Sequence, residues 1–207
     1  VPLLDRNIKY LQSFGVAEFV INVHHFGEQI VEFLEKNNHF GAKIDISDEK
    51  DELLETGGGL LFAQKYLENE ENFLIMNADI HTDLNIHELV KFHETHLPLA
   101  TLAVSDRNSS RKLFFNSEMV LKGWMNKNSG ETKMAEFNSD FKELAFSGIH
   151  CINSSIFDKI KRRGKFSIME EYLDLMFENN ILGFQHEARL IDVGRPESVI
   201  EAEKYFK

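Results

Sequence analysis

Phe73-Leu74-Ile75-Met76-Asn77-Ala78-Asp79 is the stretch on which the reading of this chain turns. Four apolar residues in a row, with no polar alternation, read as a strand buried on both faces, the kind found in α/β sheets. The run ends in Asn77-Ala78-Asp79, so a carboxylate stands just past the carboxyl end of a buried strand. In open α/β sheets that is where the ligand crevice lies. A lone strand-end aspartate is more commonly a turn or cap residue, and Asp83 nearby is the better candidate for capping.

Outward from this strand, elements alternate. Residues 3–14 space Leu4, Ile8 and Leu11 along one helical face, and Gly15 supplies the stop signal. Residues 19–23 and 42–46 read as strands flanking a helix over 29–36, and residues 60–67 as a helix. Downstream come a helix over 86–93 and a strand over 100–104. After Val104 the rhythm changes to strands over 112–115, 120–124 and 145–152, separated by polar turns. Ser154 can cap a helix through Lys161, and Ser167-Ile168-Met169-Glu170 has capping-box spacing for a helix to Phe177. Short strands over 181–184 and 189–191 precede a last helix with Pro196 in its first turn, ending near Phe206. The pattern predicts a Rossmann-like mixed, mostly parallel sheet with helices on both faces and an antiparallel excursion at about 111–150. Strands 19–23 and 73–76 are expected in one sheet.

The 207 residues carry 34 acidic and 23 basic side chains, a net charge of −11. That excludes a duplex-DNA binder, which needs a basic face to displace counterions. It is compatible with nucleotide binding, because an acidic site can recruit Mg²⁺ to meet phosphates. One cysteine, Cys151, excludes an intrachain disulfide and a zinc ribbon, and it reads as a packed thiol. No apolar run has the length of a membrane span and no leader is visible, so a cytoplasmic protein without a membrane or nucleic-acid partner is the simplest expectation. With few prolines and no linker, residues 1–207 read as a single domain that begins inside a longer polypeptide. Oligomeric state is left open.

Three further features carry chemistry. Glu55-Thr56-Gly57-Gly58-Gly59 reads as a loop before a helix. Its glycines permit close approach to a ligand, and the helix start offers unpaired N–H groups. A flexible loop explains it equally well. Ile191-Asp192-Val193-Gly194 places a second carboxylate at a strand end, which could share one Mg²⁺ with Asp79 if the two strands are neighbours. His24-His25 invites a metal reading, but adjacent strand residues point to opposite faces and should not converge. Arg107 and Arg111 sit in a polar loop open to phosphate binding or plain solvation, and Lys161-Arg162-Arg163 reads as a solvated helix end.

Together these residues resemble the sugar-1-phosphate nucleotidyltransferase family, and the match runs in order along nearly the whole chain. Residues 19–25 look like the family's second strand, and 54–59 like its nucleobase and ribose loop. Residues 76–79 are similar to the strand end whose aspartate binds Mg²⁺. Phe146-Ser147-Gly148-Ile149-His150 looks like the strand whose glycine lines the sugar pocket, and residues 191–197 like the closing motif with the second aspartate. The nearest flavour is the short branch of uridylyl- and guanylyltransferases without a C-terminal β-helix. The resemblance implies transfer from an NTP (UTP, GTP or dTTP) to a sugar 1-phosphate. In it, Asp79 and Asp192 are catalytic and hold Mg²⁺. Glu55, Thr56, Gly57, Gly58, Gly59 and Asn77 bind the nucleotide. Gly148 and Glu170 bind the sugar phosphate, Glu170 standing in because Met169 occupies the family's glutamate position. Other readings of the same residues are a non-catalytic nucleotide- or sugar-phosphate-binding module and a cytidylyltransferase for a small phosphorylated alcohol.

The family's opening Gly-rich loop, of the form G-x-G-T-R, has no counterpart in these 207 residues, and Val1-Pro2-Leu3-Leu4 resembles the point just after it. Losing one donor to a developing oxyanion costs on the order of 10²–10³ in rate. The expectation is negligible transfer by the 207 residues alone, and Mg²⁺-dependent pyrophosphate release once the segment encoded upstream of Val1 is added. A pyrophosphate-release assay on both lengths, across NTPs and sugar 1-phosphates, decides it, and robust turnover by the short chain would overturn it.

Overall fold

The structure is a computed structural model that describes residues 2–50, 52–136, 140–194 and 198. The expected last helix from Pro196 lies outside them. In chain order the elements are α1 (Leu3–Gln12), β1 (Glu18–Val23), α2 (Gly27–Lys36), β2 (Lys43–Asp48), α3 (Glu55–Phe62), α4 (Gln64–Leu67), β3 (Asn72–Met76), β4 (Ile80–Thr82) and α5 (Ile86–His96). There follow β5 (Ala100–Ser105), β6 (Arg111–Phe115), β7 (Leu121–Asn126), β8 (Thr132–Met134), β9 (Lys142–Asn153), α6 (Ile156–Lys159), α7 (Ile168–Leu175), β10 (Ile181–Gln185) and β11 (Leu190–Asp192). The chain falls into two compact units. One contains the residues up to Glu71 and Ser154–Asp174; the other contains Asn72–Asn153 and the residues from Leu175 onward.

In the first unit β1 and β2 run parallel, with Glu18 opposite Lys43 and Val23 opposite Asp48. A parallel pair needs a crossover, and α2 supplies it. Gly15 turns the chain after α1 at φ +85°, a conformation open to glycine at little cost. The buried apolar residues include Ile8, Val23, Leu34, Leu60, Phe166 and Tyr172.

The second unit is built around β9. One edge of β9 runs antiparallel to β5, from Ala100 opposite Ile152 to Ser105 opposite Ala145. The strand also pairs antiparallel with β6 through residues 142–144 and with β3 through residues 149–153. β10 adds a parallel strand to β5, and β7 and β8 extend the sheet from β6. Every residue of β5 is buried, as a continuous apolar run requires. Helix α5 packs on β5 and β9, its Leu89 fully buried. Its buried His93 is held between Thr101 (2.9 Å) and Asn72 (3.0 Å). β4 and β11 form a separate antiparallel ribbon.

The expected mixed α/β fold is present, with four differences. Strands 19–23 and 73–76 do not share a hydrogen-bonded sheet, because among the described residues β1 pairs with β2 and β3 with β9, and no strand pairs with both. The antiparallel share exceeds the expected excursion, because β9 returns along β5 and β3. Residues 55–59 are helical from Glu55 on, so the expected loop is the first turns of α3. Ser154 caps no helix to Lys161: α6 is a single turn, and Lys161-Arg162-Arg163 lie beyond it without regular secondary structure.

Buried histidines set an acid sensitivity. Burial holds His93 and His186 below the usual imidazole range and pushes fully buried His150 down to about 3. The unfolded chain takes up these protons near pH 6.5 and the folded chain does not. The stabilisation is therefore complete above pH 6.5 and is lost as pH falls toward 3. His150→Leu removes one such proton, so the slope of unfolding free energy between pH 6 and 4 should flatten by about 1.4 kcal/mol per pH unit. Chemical denaturation at stepped pH measures it; an unchanged slope would refute the assignment.

Candidate active site

The acid pair arises from the β4–β11 ribbon. After β3 the chain turns through Asn77-Ala78-Asp79, closed by the Ile80 N–H donating to the Asn77 carbonyl (3.1 Å). β4 then pairs antiparallel with β11 so that Ile80 stands opposite Asp192, next in sequence to Asp79. The Val193 N–H donates to the Asp79 carbonyl (2.8 Å) and the Gly194 N–H to Asp192 Oδ1 (2.9 Å). A methyl group at Gly194 would stand 3.0 Å from Asp192 Oδ1 and 3.4 Å from Asp79 Oδ2, so the two carboxylates flank one point. Burial, and then the Asp192 charge, hold the Asp79 carboxyl above its usual range, against the opposing pull of its own N–H. Asp83 accepts from the Arg189 N–H (2.8 Å) and so ties the approach of β11; the capping expected of it falls to Asn85, which accepts from the Glu88 N–H at the start of α5.

Gly148 stands in an irregularity of β9. Leu102 of β5 is opposite His150 and Val104 is opposite Phe146, so three residues of β9 face one of β5, a bulge. Gly148 sits there at φ +74°, and a side chain would meet Ile80 Cγ1 at 2.9 Å and Asn77 Nδ2 at 3.1 Å. The Asn77 N–H donates to the Gly148 carbonyl (2.9 Å). Asn77, Asp79, Gly148 and Asp192 therefore come together within the second unit. Near them are Arg107, which the sequence left open to phosphate binding or solvation, and His186, which it did not single out. Arg107 donates to the Phe146 carbonyl (2.8 Å), and His186 Nε2 pairs with Ser147 Oγ (2.9 Å).

Glu55, Thr56, Gly57, Gly58, Gly59 and Glu170 lie in the first unit. The glycines have a packing reason. Side chains at Gly57 and Gly58 would strike Phe166 and the Gly164 carbonyl, and one at Gly59 would lie 2.5 Å from Glu49 Oε1. The N–H groups of Gly57 and Gly58 both donate to the Phe166 carbonyl (2.9 and 3.2 Å), so they are not the unpaired donors expected of a helix start. Thr56 Oγ1 accepts from the Ile168 N–H (3.0 Å). Buried Glu49 accepts from Asn22 and from the Leu54 N–H, fixing the entry to α3. Arg162 is no solvated helix end: it pairs with buried Glu171 (3.2 Å) and with Asp174, with Glu170 at 3.9 Å. Glu170 is the most exposed of the three acids that Arg162 meets.

His24 and His25 do come together, ring centroids 4.3 Å apart, because the chain leaves β1 there and turns at Phe26 with φ 59°. No group of three or more His, Cys, Asp or Glu that could hold a metal occurs among the described residues. Burial, with Glu94 adding to it, pushes the Cys151 thiol up to about 12, which leaves it a packing group. No helix among the described residues is long and apolar enough to cross a membrane.

Known proteins share this arrangement of chain. Mannose-1-phosphate guanyltransferases of Gibberella zeae and Schizosaccharomyces pombe are 26% and 25% identical, over 96% of this chain and 54% of their own length. The chain thus spans about half the length of the curated relatives it matches. HddC from Yersinia pseudotuberculosis, complexed with GMP-PN, has the same fold with a TM-score of 0.79 at 21% identity, over 99% of this chain and 85% of that one. Inositol-1-phosphate CTP transferase from T. maritima superposes with a TM-score of 0.72 at 14% identity, over 95% of this chain and 78% of that one. The model of the nucleotidyl transferase family matches residues 1–207, and the chain belongs to that family.

Proposed function

We propose that the chain is the catalytic body of an enzyme that transfers a nucleotidyl group from an NTP to a sugar 1-phosphate, releasing pyrophosphate. The observation that carries this reading is the acid pair: Asp79 and Asp192, distant in sequence, flank one point beside the Asn77–Gly148 contact. The names of similar proteins, which include mannose-1-phosphate guanyltransferase, a putative glucose-1-phosphate thymidylyltransferase and UDP-glucose pyrophosphorylase, support an NTP and a hexose 1-phosphate as the substrate classes. GTP, UTP and dTTP are the candidate donors, and a cytoplasmic setting belongs to the same reading.

In this reaction a phosphate oxygen of the sugar 1-phosphate attacks the α-phosphorus in line and pyrophosphate departs. The protein's work is positioning and charge neutralisation. Two carboxylates at one point suit Mg²⁺, which binds through one or two carboxylates and completes its shell with phosphate oxygens and water. Asp79 and Asp192 would hold the ion, whose chemistry is to neutralise charge on the phosphates. The raised pKa of Asp79 fits the same picture: two anions at one point repel until a cation or proton relieves them. Gly148 keeps a side chain out of the space beside Asn77, where the sugar phosphate would approach. Asn77 itself would hydrogen-bond the nucleotide, and Glu170 a sugar hydroxyl. Glu55, Thr56 and the Gly57–Gly59 backbone would receive base and ribose, with shape contributing more than the Gly57 and Gly58 N–H groups, which are already engaged.

The test is pyrophosphate release by the whole gene product, with GTP, UTP and dTTP against mannose 1-phosphate and glucose 1-phosphate, with and without EDTA. Asp79→Asn and Asp192→Asn should each lower kcat by on the order of 10²–10³ or more, while nucleotide binding in EDTA stays unchanged. Wild-type rates in either variant, or full activity in EDTA, would remove the acid pair from the mechanism.

A further inference from the structure

The bulge that carries Gly148 is held in part from outside the sheet. Opposite a single residue of β5, the segment 147–149 of β9 cannot complete the ladder on that edge, while on the other edge Ile149 pairs with Met76 of β3. Residues 146–148 meet three partners, of which Asn77 continues the β3 register by one step while Arg107 and His186 lie outside the strands. The Arg107 Nη2 donates to the Phe146 carbonyl (2.8 Å), His186 Nε2 pairs with Ser147 Oγ (2.9 Å), and the Asn77 N–H donates to the Gly148 carbonyl (2.9 Å). Ser147 and His186 are buried, so the pairing between them is made away from water. Arg107 is fixed in turn by buried Lys112, whose Nζ donates to the Arg107 carbonyl (2.8 Å). Arg107 and His186 line the same cavity of about 400 Å³, with Asp106 and Gln185 on its wall. One side of the bulge thus meets Arg107 and His186, and the other meets Asn77, the turn that leads to Asp79.

We propose that Arg107 and His186 are positioning residues for sugar-phosphate binding: they clamp the β9 bulge so that Gly148 keeps its φ of +74° against Asn77. The proposal rests on the reading of Gly148 as part of the sugar-phosphate site. Phe146, Ser147 and Gly148 are consecutive, so freeing the first two lets the third relax toward an ordinary strand. A relaxed Gly148 shifts its carbonyl from Asn77 and changes the space a sugar phosphate would enter. Glu55, Thr56 and Gly57–Gly59, the proposed base and ribose residues, lie in the other unit, whereas Asn77, the proposed nucleotide contact in this unit, is bonded to the bulge itself.

Two readouts on the whole gene product test the proposal, using Arg107→Ala, Ser147→Ala and the conservative Arg107→Lys. Amide hydrogen exchange at Asn77 reports the bond to the Gly148 carbonyl. Exchange should accelerate about tenfold in Arg107→Ala and Ser147→Ala, and return toward wild type in Arg107→Lys. In steady-state kinetics with mannose 1-phosphate and glucose 1-phosphate, KM for the sugar phosphate should rise about tenfold and KM for the NTP by clearly less, because Asn77 alone of the proposed nucleotide contacts adjoins the bulge. Unchanged exchange at Asn77, or an equal rise in both KM values, would overturn the clamp. If the wild-type protein turns over no sugar phosphate, the functional reading fails by itself, and exchange at Asn77 still decides whether Arg107 and Ser147 hold the bulge.

Discussion

Strand β9 must satisfy different neighbours along its length, and the second unit follows from how it does so. Its first residues pair with β6, its last with β3, and β5 accompanies it through both. At the changeover the register against β5 slips, and the slip is absorbed at Ser147-Gly148-Ile149. A bulge there needs one residue that accepts positive φ and leaves no Cβ against the β3–β4 turn; glycine meets both needs. The candidate site is thus placed where the sheet changes partners. Asn77, at the end of β3, reaches the bulge because β3 ends where the pairing ends.

The acid pair depends on a smaller device, the three-residue ribbon of β4 and β11. Neither carboxylate is brought to the other by the main sheet. The ribbon does it by setting Ile80 opposite Asp192, and the Val193–Asp79 backbone bond extends the pairing by one step. Gly194 follows with no side chain to fill the gap. The repulsion this creates is visible in Asp79, whose carboxyl is held above its usual range partly by the Asp192 charge. A structure that only needed to be stable would keep these charges apart; holding them together is a mark of a site.

The sequence was most legible where periodicity is strong. The apolar runs at 19–23, 73–76 and 100–104 are strands, and the stripe of Leu4, Ile8 and Leu11 lies on a helix. Asp79 and Asp192 could be singled out as strand-end carboxylates, but their closeness was implied only by the family resemblance, because β4 has three residues and three residues carry no period. The sharing of one sheet by 19–23 and 73–76 was misjudged for a related reason: alternation of elements predicts layers, not which strand is hydrogen-bonded to which. Arg107 could be read only as a loop arginine open to phosphate or solvent and His186 left no trace, since their partners are a main-chain carbonyl and a serine about forty residues away.

The three glycines of α3 show how one residue pattern can serve two constraints. Read alone, Gly57-Gly58-Gly59 suggests a backbone bared for a ligand. In the fold the helix is bared toward its own chain: the segment Gly164–Phe166 lies on it, and the Phe166 carbonyl takes the N–H groups of Gly57 and Gly58. Glycine is unfavourable inside a helix by about 1 kcal/mol relative to alanine, so three together require compensation. Here it comes from the close approach, which buries Phe166 and lets one carbonyl satisfy two helix-start donors. The same approach bears on the site. Thr56 is bonded to the Ile168 N–H at the start of α7, the helix that carries Glu170. The glycines therefore act first on the protein itself, by locking the start of α3 to the start of α7, and any nucleotide role of Glu55 and Thr56 is played from a helix end already fixed in place.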